Sequence, residues 1–137
     1  MFDITIIDHH DLLEVNHDCF LISESDAKYL INCQNKILED TDRVIINYDI
    51  LKNIILTFKD NSYDDITDIS SKMLTIFFEM KNNTRDLIDD DMLIKILFDI
   101  YEHYVYGCVE LMDNYLDQII EYVNVHKKLE GFEYVRY

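Results

Sequence analysis

Five histidines, three cysteines and 28 carboxylates are the groups in this sequence that could hold a metal, activate a nucleophile or move a proton. Their spacing supports none of these. His9, His10, His17, His103 and His126 form no H-E-x-x-H pair, and His17 with Cys19 lacks the two further ligands that a zinc site requires. Cys19, Cys33 and Cys108 cannot all pair within one chain and contain no C-x-x-C, so reduced thiols are expected. The stretch "DNSYDDITDISS" begins like a calcium loop at Asp60, with Ser62 and Asp64 at the third and fifth positions. It then places Asp65 where the turn needs glycine and Ser71 where the ion needs a bidentate glutamate. There is no phosphate-cradling glycine loop and no nucleophile elbow. The expectation is a protein that is not an enzyme and has no catalytic residue, cofactor or metal.

Charge narrows the partners. Twelve basic residues against 28 acidic ones give a net charge of −16, which repels phosphate backbones and anionic lipid. Neither nucleic acid nor membrane is an expected partner. No apolar run is long enough to span a bilayer, and Asp3, Asp8, Asp11, Glu14 and Asp18 stand where a secretion signal would be basic and then apolar. A cytoplasmic or nuclear protein is expected, and the "NNT" sequon at Asn82 is then expected to stay bare.

The elements that must position any site follow from periodicity. "FDITIIDHHDLLEVN" alternates and then breaks, which predicts a β-hairpin. Ser23 with Asp26 three residues later opens a short helix to about Ile31, followed by a polar loop from Asn32 to Arg43. "RVIIN" reads as a short buried strand, with Asn47 as an N-cap for the next helix. Helical stripes follow at Ile50, Leu51, Ile54, Ile55 and Phe58, and at Ile69, Met73, Ile76, Phe77 and Met80. Asp89, Asp90 and Asp91 suit the cap of a further helix.

In "YEHYVYGCVELMDNYL", Gly107 interrupts what would otherwise be one long helix. Leu93 before it and Val109 after it are sixteen residues apart, about 160° of rotation on a straight helix at 100° per residue. The two apolar stripes would point nearly opposite ways. A turn at Gly107 brings both onto one core, because glycine tolerates the left-handed conformation of a helix C-cap.

Three segments carry a resemblance: "ITIIDHHDLLEVNHDCFLISESDAKYLI", "RVIINYDILKNIILTF" and "DDDMLIKILFDIYEHYVYGCVELMDNYLDQII". In order and spacing they resemble the BTB/POZ fold, most of all the Skp and elongin C adaptors of cullin ubiquitin ligases. The resemblance implies an α+β fold over residues 1–125, a small three-stranded sheet with five to six helices, and a C-terminal tail over 126–137. It implies a protein-binding adaptor whose partners are a cullin, F-box-like helices or a second copy of the chain in a homodimer. Tyr101 and Glu102 match the cullin-facing edge, where the Asn-Tyr pair of those adaptors is absent. Leu111, Tyr115 and Ile119 match the surface that takes a partner's helices.

Tyr101, Tyr104, Tyr106, Tyr115 and Tyr122 crowd the last helix pair. Tyrosine is a favoured interface residue because it combines a stiff ring with a polar tip. The same residues could equally wall the core. Two other readings stand beside the adaptor: a virus-encoded all-helical Bcl-like inhibitor that binds an amphipathic helix in a groove, and a virion structural protein built on the BTB fold.

Overall fold

The computed structural model of the chain describes residues 5–6, 12–15, 18–21, 24–43 and 49–126. Strands β1 (Thr5–Ile6), β2 (Leu12–Val15) and β3 (Asp18–Leu21) form an antiparallel meander. Thr5 pairs with Glu14, and Leu13 pairs with Ile6 on one side and Phe20 on the other. Five helices follow: α1 (Glu24–Asp40), α2 (Asp49–Phe58), α3 (Ile66–Asn83), α4 (Asp90–Asp99) and α5 (Met112–His126). A π-helical turn over Ile100–Tyr104 extends α4, and a 3-10 turn over Val109–Leu111 leads into α5.

This arrangement overturns the α+β, BTB/POZ-like expectation. Where burial is described, in the helices and the turns that join them, the apolar core is built by α1–α5 packing on one another. The body is therefore an all-helical domain, not helices gathered on a sheet. The N-terminal ribbon is also not the expected sheet: its third strand follows the second directly, where a BTB sheet would draw on a strand after the first helix. The strand expected at residues 44–46 and the Asn47 cap lie outside the described residues, as does the tail after His126.

The expected loop at Asn32–Arg43 is a correction of the same kind, since α1 runs 17 residues to Asp40. Leu30, Gln34 and Leu38 fall at i, i+4 and i+8 and are all buried, with Ile31 and Ile37 flanking them. The helical period persists through a buried glutamine, and so a hydrophobicity count misses it.

Helix α3 lies at the centre, packed against α1, α2, α4 and α5. Ile54, Phe58, Ile69, Met73, Leu74, Leu93, Leu97, Ile119 and Val123 are all fully buried there. Burying each such side chain is worth about 1.5–3 kcal/mol. Phe58 sits edge-on to Phe98 at 5.1 Å and to Tyr101 at 5.6 Å. Lys81, also buried, donates to the Ile88 carbonyl at 2.6 Å and pairs with Asp90 at 2.7 Å, which fixes the α3–α4 connection.

The helix ends show how a chain so poor in glycine turns. Asp65 caps α3 by accepting from the N–H groups of Thr67 and Asp68, and Asp89 caps α4 by accepting from that of Met92. At the other ends, α1 closes through Arg43 N–H to the Leu38 carbonyl and α3 through Asp86 N–H to the Lys81 carbonyl, both at 2.8 Å. These are Schellman-type bonds that put Asp42 (φ 56°) and Arg85 (φ 55°) in the left-handed region where glycine is usual. Arg43 then joins the two ends, with Nε on Asn82 and the guanidinium on Asp86. Because the Arg85 side chain is exposed, Arg85→Gly should stabilise the fold by about 0.5–1 kcal/mol through relief of the Cβ strain. A shift in the urea midpoint at constant slope would measure it.

Candidate functional site

The connection after α4 was the centre of interest in the sequence, and it is held by the α2–α3 loop. Asn61 organises that loop: its Oδ1 accepts from the N–H groups of Tyr63 and Asp64, and its Nδ2 donates to the carbonyls of Phe58 and Asp64. The Tyr101 hydroxyl donates to Asp64 Oδ2 at 2.8 Å and to Asn61 Oδ1 at 3.2 Å. Burial, then the Asp64 hydrogen bond and the nearby carboxylate charges, push the Tyr101 phenol well above its ordinary range. The Glu102 carboxylate accepts from the Ser62 hydroxyl and from its N–H. Beyond the turn, the Cys108 thiol contacts Glu110 at 3.5 Å. Glu110's own backbone N–H and that thiol hold the Glu110 carboxyl below the usual carboxylate range.

The turn itself reverses the chain at Tyr106 (φ 51°) and Gly107 (φ 84°). Val105 N–H reaches the Ile100 carbonyl and Gly107 N–H reaches that of Tyr101. Each bond spans one residue more than its counterpart in an ordinary helix end, which is how the π turn is accommodated. The Tyr63 ring lies against Gly107 and stands edge-on to Tyr101 at 5.9 Å.

The structure places the six residues that the sequence offers for partner binding, Tyr101, Glu102, Tyr104, Leu111, Tyr115 and Ile119, as follows. Tyr101 and Ile119 are fully buried, and Tyr115 is nearly so. Tyr104 is half-buried, edge-on to Tyr115 at 5.4 Å. Glu102 is occupied with Ser62. Leu111 alone is exposed, at 52%. Tyr101, Tyr104, Tyr115 and Ile119 thus wall the core, and the six do not converge on one surface. The roles drawn from the BTB resemblance lose their basis with it.

A surface that does converge lies between α3 and α5. A cleft of about 270 Å³ is lined by Ile76, Glu79, Met80 and Asn83 on α3 and by Asp113, Leu116, Asp117 and Ile120 on α5. Ile76, Met80, Leu116 and Ile120 are partly or fully buried and form its floor, while Glu79, Asp113 and Asp117 are exposed at its rim. None of these three carboxylates makes an ion pair among the described residues. Near one end Asn124 Nδ2 donates to the Asn83 carbonyl and ties the helices together. The signal was present in the sequence as four i, i+4 pairs, apolar Ile76/Met80 and Leu116/Ile120 beside polar Glu79/Asn83 and Asp113/Asp117.

The described residues hold no group of three or more histidine, cysteine or acidic side chains placed to share a metal ion. None of their helices is long and apolar enough to cross a membrane. Cys33 and Cys108 are free thiols. Chemically, then, the α3–α5 cleft offers negative charge over aliphatic carbon.

Comparison with known proteins finds a match over residues 12–129 to the model of one family, described as a family of unknown function. No BTB/POZ or Skp family matches. No curated protein and no solved structure matches the chain.

Proposed function

From the premise that the chain belongs to DUF6323, a family whose description names no function, we propose that it is a non-enzymatic protein-binding module. It receives a lysine- or arginine-bearing amphipathic helix in the α3–α5 cleft. One observation carries this reading: among the described residues, the cleft joins an apolar floor to three carboxylates that make no ion pair, with no basic residue in its lining. Lysine and arginine suit it because their stems can lie along Ile76 and Ile120 while the charged heads reach Glu79, Asp113 and Asp117. The net charge of −16 adds long-range attraction for such a partner and repels a second copy of the chain. Recognition in an interhelical groove is also the mode of the Bcl-like alternative, although nothing ties the chain to that family.

The outer face of α4 is the weaker choice. Met92 is half-exposed there among Asp89, Asp91 and Asp99, but only α4 and its cap residue line that face among the described residues.

Fluorescence anisotropy with a labelled amphipathic peptide of leucine and lysine tests the reading. Saturable binding that weakens with salt is expected, and the E79Q/D113N/D117N variant should bind about tenfold more weakly. Equal binding by that variant, or equal binding of a leucine–glutamate peptide, would refute the assignment.

A further inference from the structure

Helix α3 borders a second cleft, and its charge is of the other sign. Tyr29, Cys33, Lys36, Ile37 and Asp40 of α1 face Ser71, Lys72 and Thr75 of α3 across about 390 Å³. We propose that this cleft is a binding site for a small amphiphilic anion, a carboxylate or phosphate monoester on an aryl or alkyl body. The site is independent of the α3–α5 reading.

The argument begins with charge. In a chain with 28 acidic and 12 basic residues, carboxylates outnumber cationic groups by more than two to one. Arg43 pairs with Asp86, and Lys81 with Asp90. Lys36 and Lys72 line the same cleft, and neither makes an ion pair among the described residues. Lys72 acts on Glu110 only as a minor influence on its titration. Even Asp40, one turn along α1 from Lys36 and in the same lining, makes no ion pair with it. Two lysines that share a cleft and make no ion pair among the described residues, in so acidic a protein, mark a place where negative charge can be supplied from outside.

The walls fix the rest of the ligand. Tyr29 is 50% exposed, with half-buried Cys33 and Ile37 beside it, so an apolar body has a ring and aliphatic carbon to lie against. The Ser71 hydroxyl donates to the Asp68 carbonyl at 2.8 Å, which commits its proton. The Thr75 hydroxyl donates to the Ser71 carbonyl at 3.5 Å, and so the positive charge that meets the head group comes from Lys36 and Lys72. The volume falls within the range of about 300–1,000 Å³ usual for small-molecule clefts. An acidic protein segment has the same kind of charge, but a polyanion must overcome the −16 of the whole chain, whereas a small anion carries only one or two charges.

At 16.5 kDa the full chain suits amide NMR titration. Phenylacetate and phenyl phosphate should each shift the resonances of Cys33, Ile37 and Thr75 saturably, while phenethyl alcohol and inorganic phosphate should not over the same range. K36Q/K72Q, at two exposed positions, should keep the wild-type spectrum and bind about tenfold or more weakly. Asp40→Asn, which removes the one carboxylate of the lining, should bind more tightly. The proposal is overturned if no phenyl anion gives saturable shifts, if K36Q/K72Q binds as the wild type does, or if an acidic leucine–glutamate peptide binds where the phenyl anions do not.

Discussion

Gly107→Ala lowers the stability of the folded chain by about 2–4 kcal/mol, one of the largest losses expected from adding a single methyl group to this protein. Two costs combine. At φ 84° any L side chain is strained. In addition, a Cβ at this position would come within 2.5 Å of Tyr63 Cγ and 2.6 Å of Tyr63 Cβ. The clash is with the root of the Tyr63 side chain and not its flexible end, so the loop at Asn61–Asp64 must move. That loop carries Asn61 and Asp64, the partners of Tyr101, and the damage spreads from the turn to the phenol. Denaturant melts of Gly107→Ala, of Tyr63→Gly and of the double variant separate the two costs, because only glycine at position 63 removes both of the carbons that the new Cβ would meet. Part of the loss should return in the double variant, whose non-additivity reports the clash. A purely additive pair would leave only the backbone term.

The turn was legible in the sequence because it rests on local geometry. Two apolar stripes about 160° out of phase cannot share a core along one rod, and a glycine stood where the phase broke. The structure adds that the turn takes Tyr106 through the left-handed region as well. Helices α2, α3 and α4 were likewise legible from their stripes, and α4 also from the acids before it. Architecture was not, because a period of 3.6 says which face is buried and nothing about what buries it. Ile50, Ile54 and Phe58 look the same in sequence whether they meet a sheet or, as they do, α3 and α4. Helix α1 was cut short for a related reason. Gln34 lies on the buried face, so a polar residue interrupts the apolar stripe between Leu30 and Leu38 although the helix continues.

The candidate site was missed for a physical reason of its own. Aromatic residues drew attention to the α4–α5 connection, but a tyrosine ring gains as much from burial as from an interface. Tyr101 and Tyr115 took the first course. The carboxylates of the cleft were dispersed over Glu79, Asp113 and Asp117, on helices separated in sequence by the whole of α4. Only tertiary packing of α5 on α3 places them at one rim. Among 28 acids, the i, i+4 pairs that hold these three mark faces of α3 and α5 without saying that the two faces meet.

The Tyr101 hydroxyl leads to the second large effect, one that depends on pH. Tyr101→Phe removes the donor to Asp64 Oδ2 and one of the three donors to Asn61 Oδ1. Asn61 keeps its two backbone donors, so the loss falls on a half-buried carboxylate. The cost near neutral pH should be about 1–3 kcal/mol, against about 3–5 kcal/mol for Tyr101→Ala, which also empties a fully buried site beside Phe58. At alkaline pH the ranking of the first variant changes. Burial and then Asp64 raise the phenol pKa of the folded state above that of the unfolded chain. From about pH 10 upward the unfolded state therefore releases a proton that the folded state retains. The phenol's favourable contribution is complete below that pH and is lost as the pH rises, by up to about 1.4 kcal/mol per pH unit. Tyr101→Phe has no such proton and should lack that part of the slope. Urea midpoints of both proteins, measured from pH 8 to 11, should approach one another at the alkaline end. Parallel curves across that range would mean that Tyr101 titrates alike in the folded and unfolded states, and that its bond to Asp64 does not hold the loop on the turn.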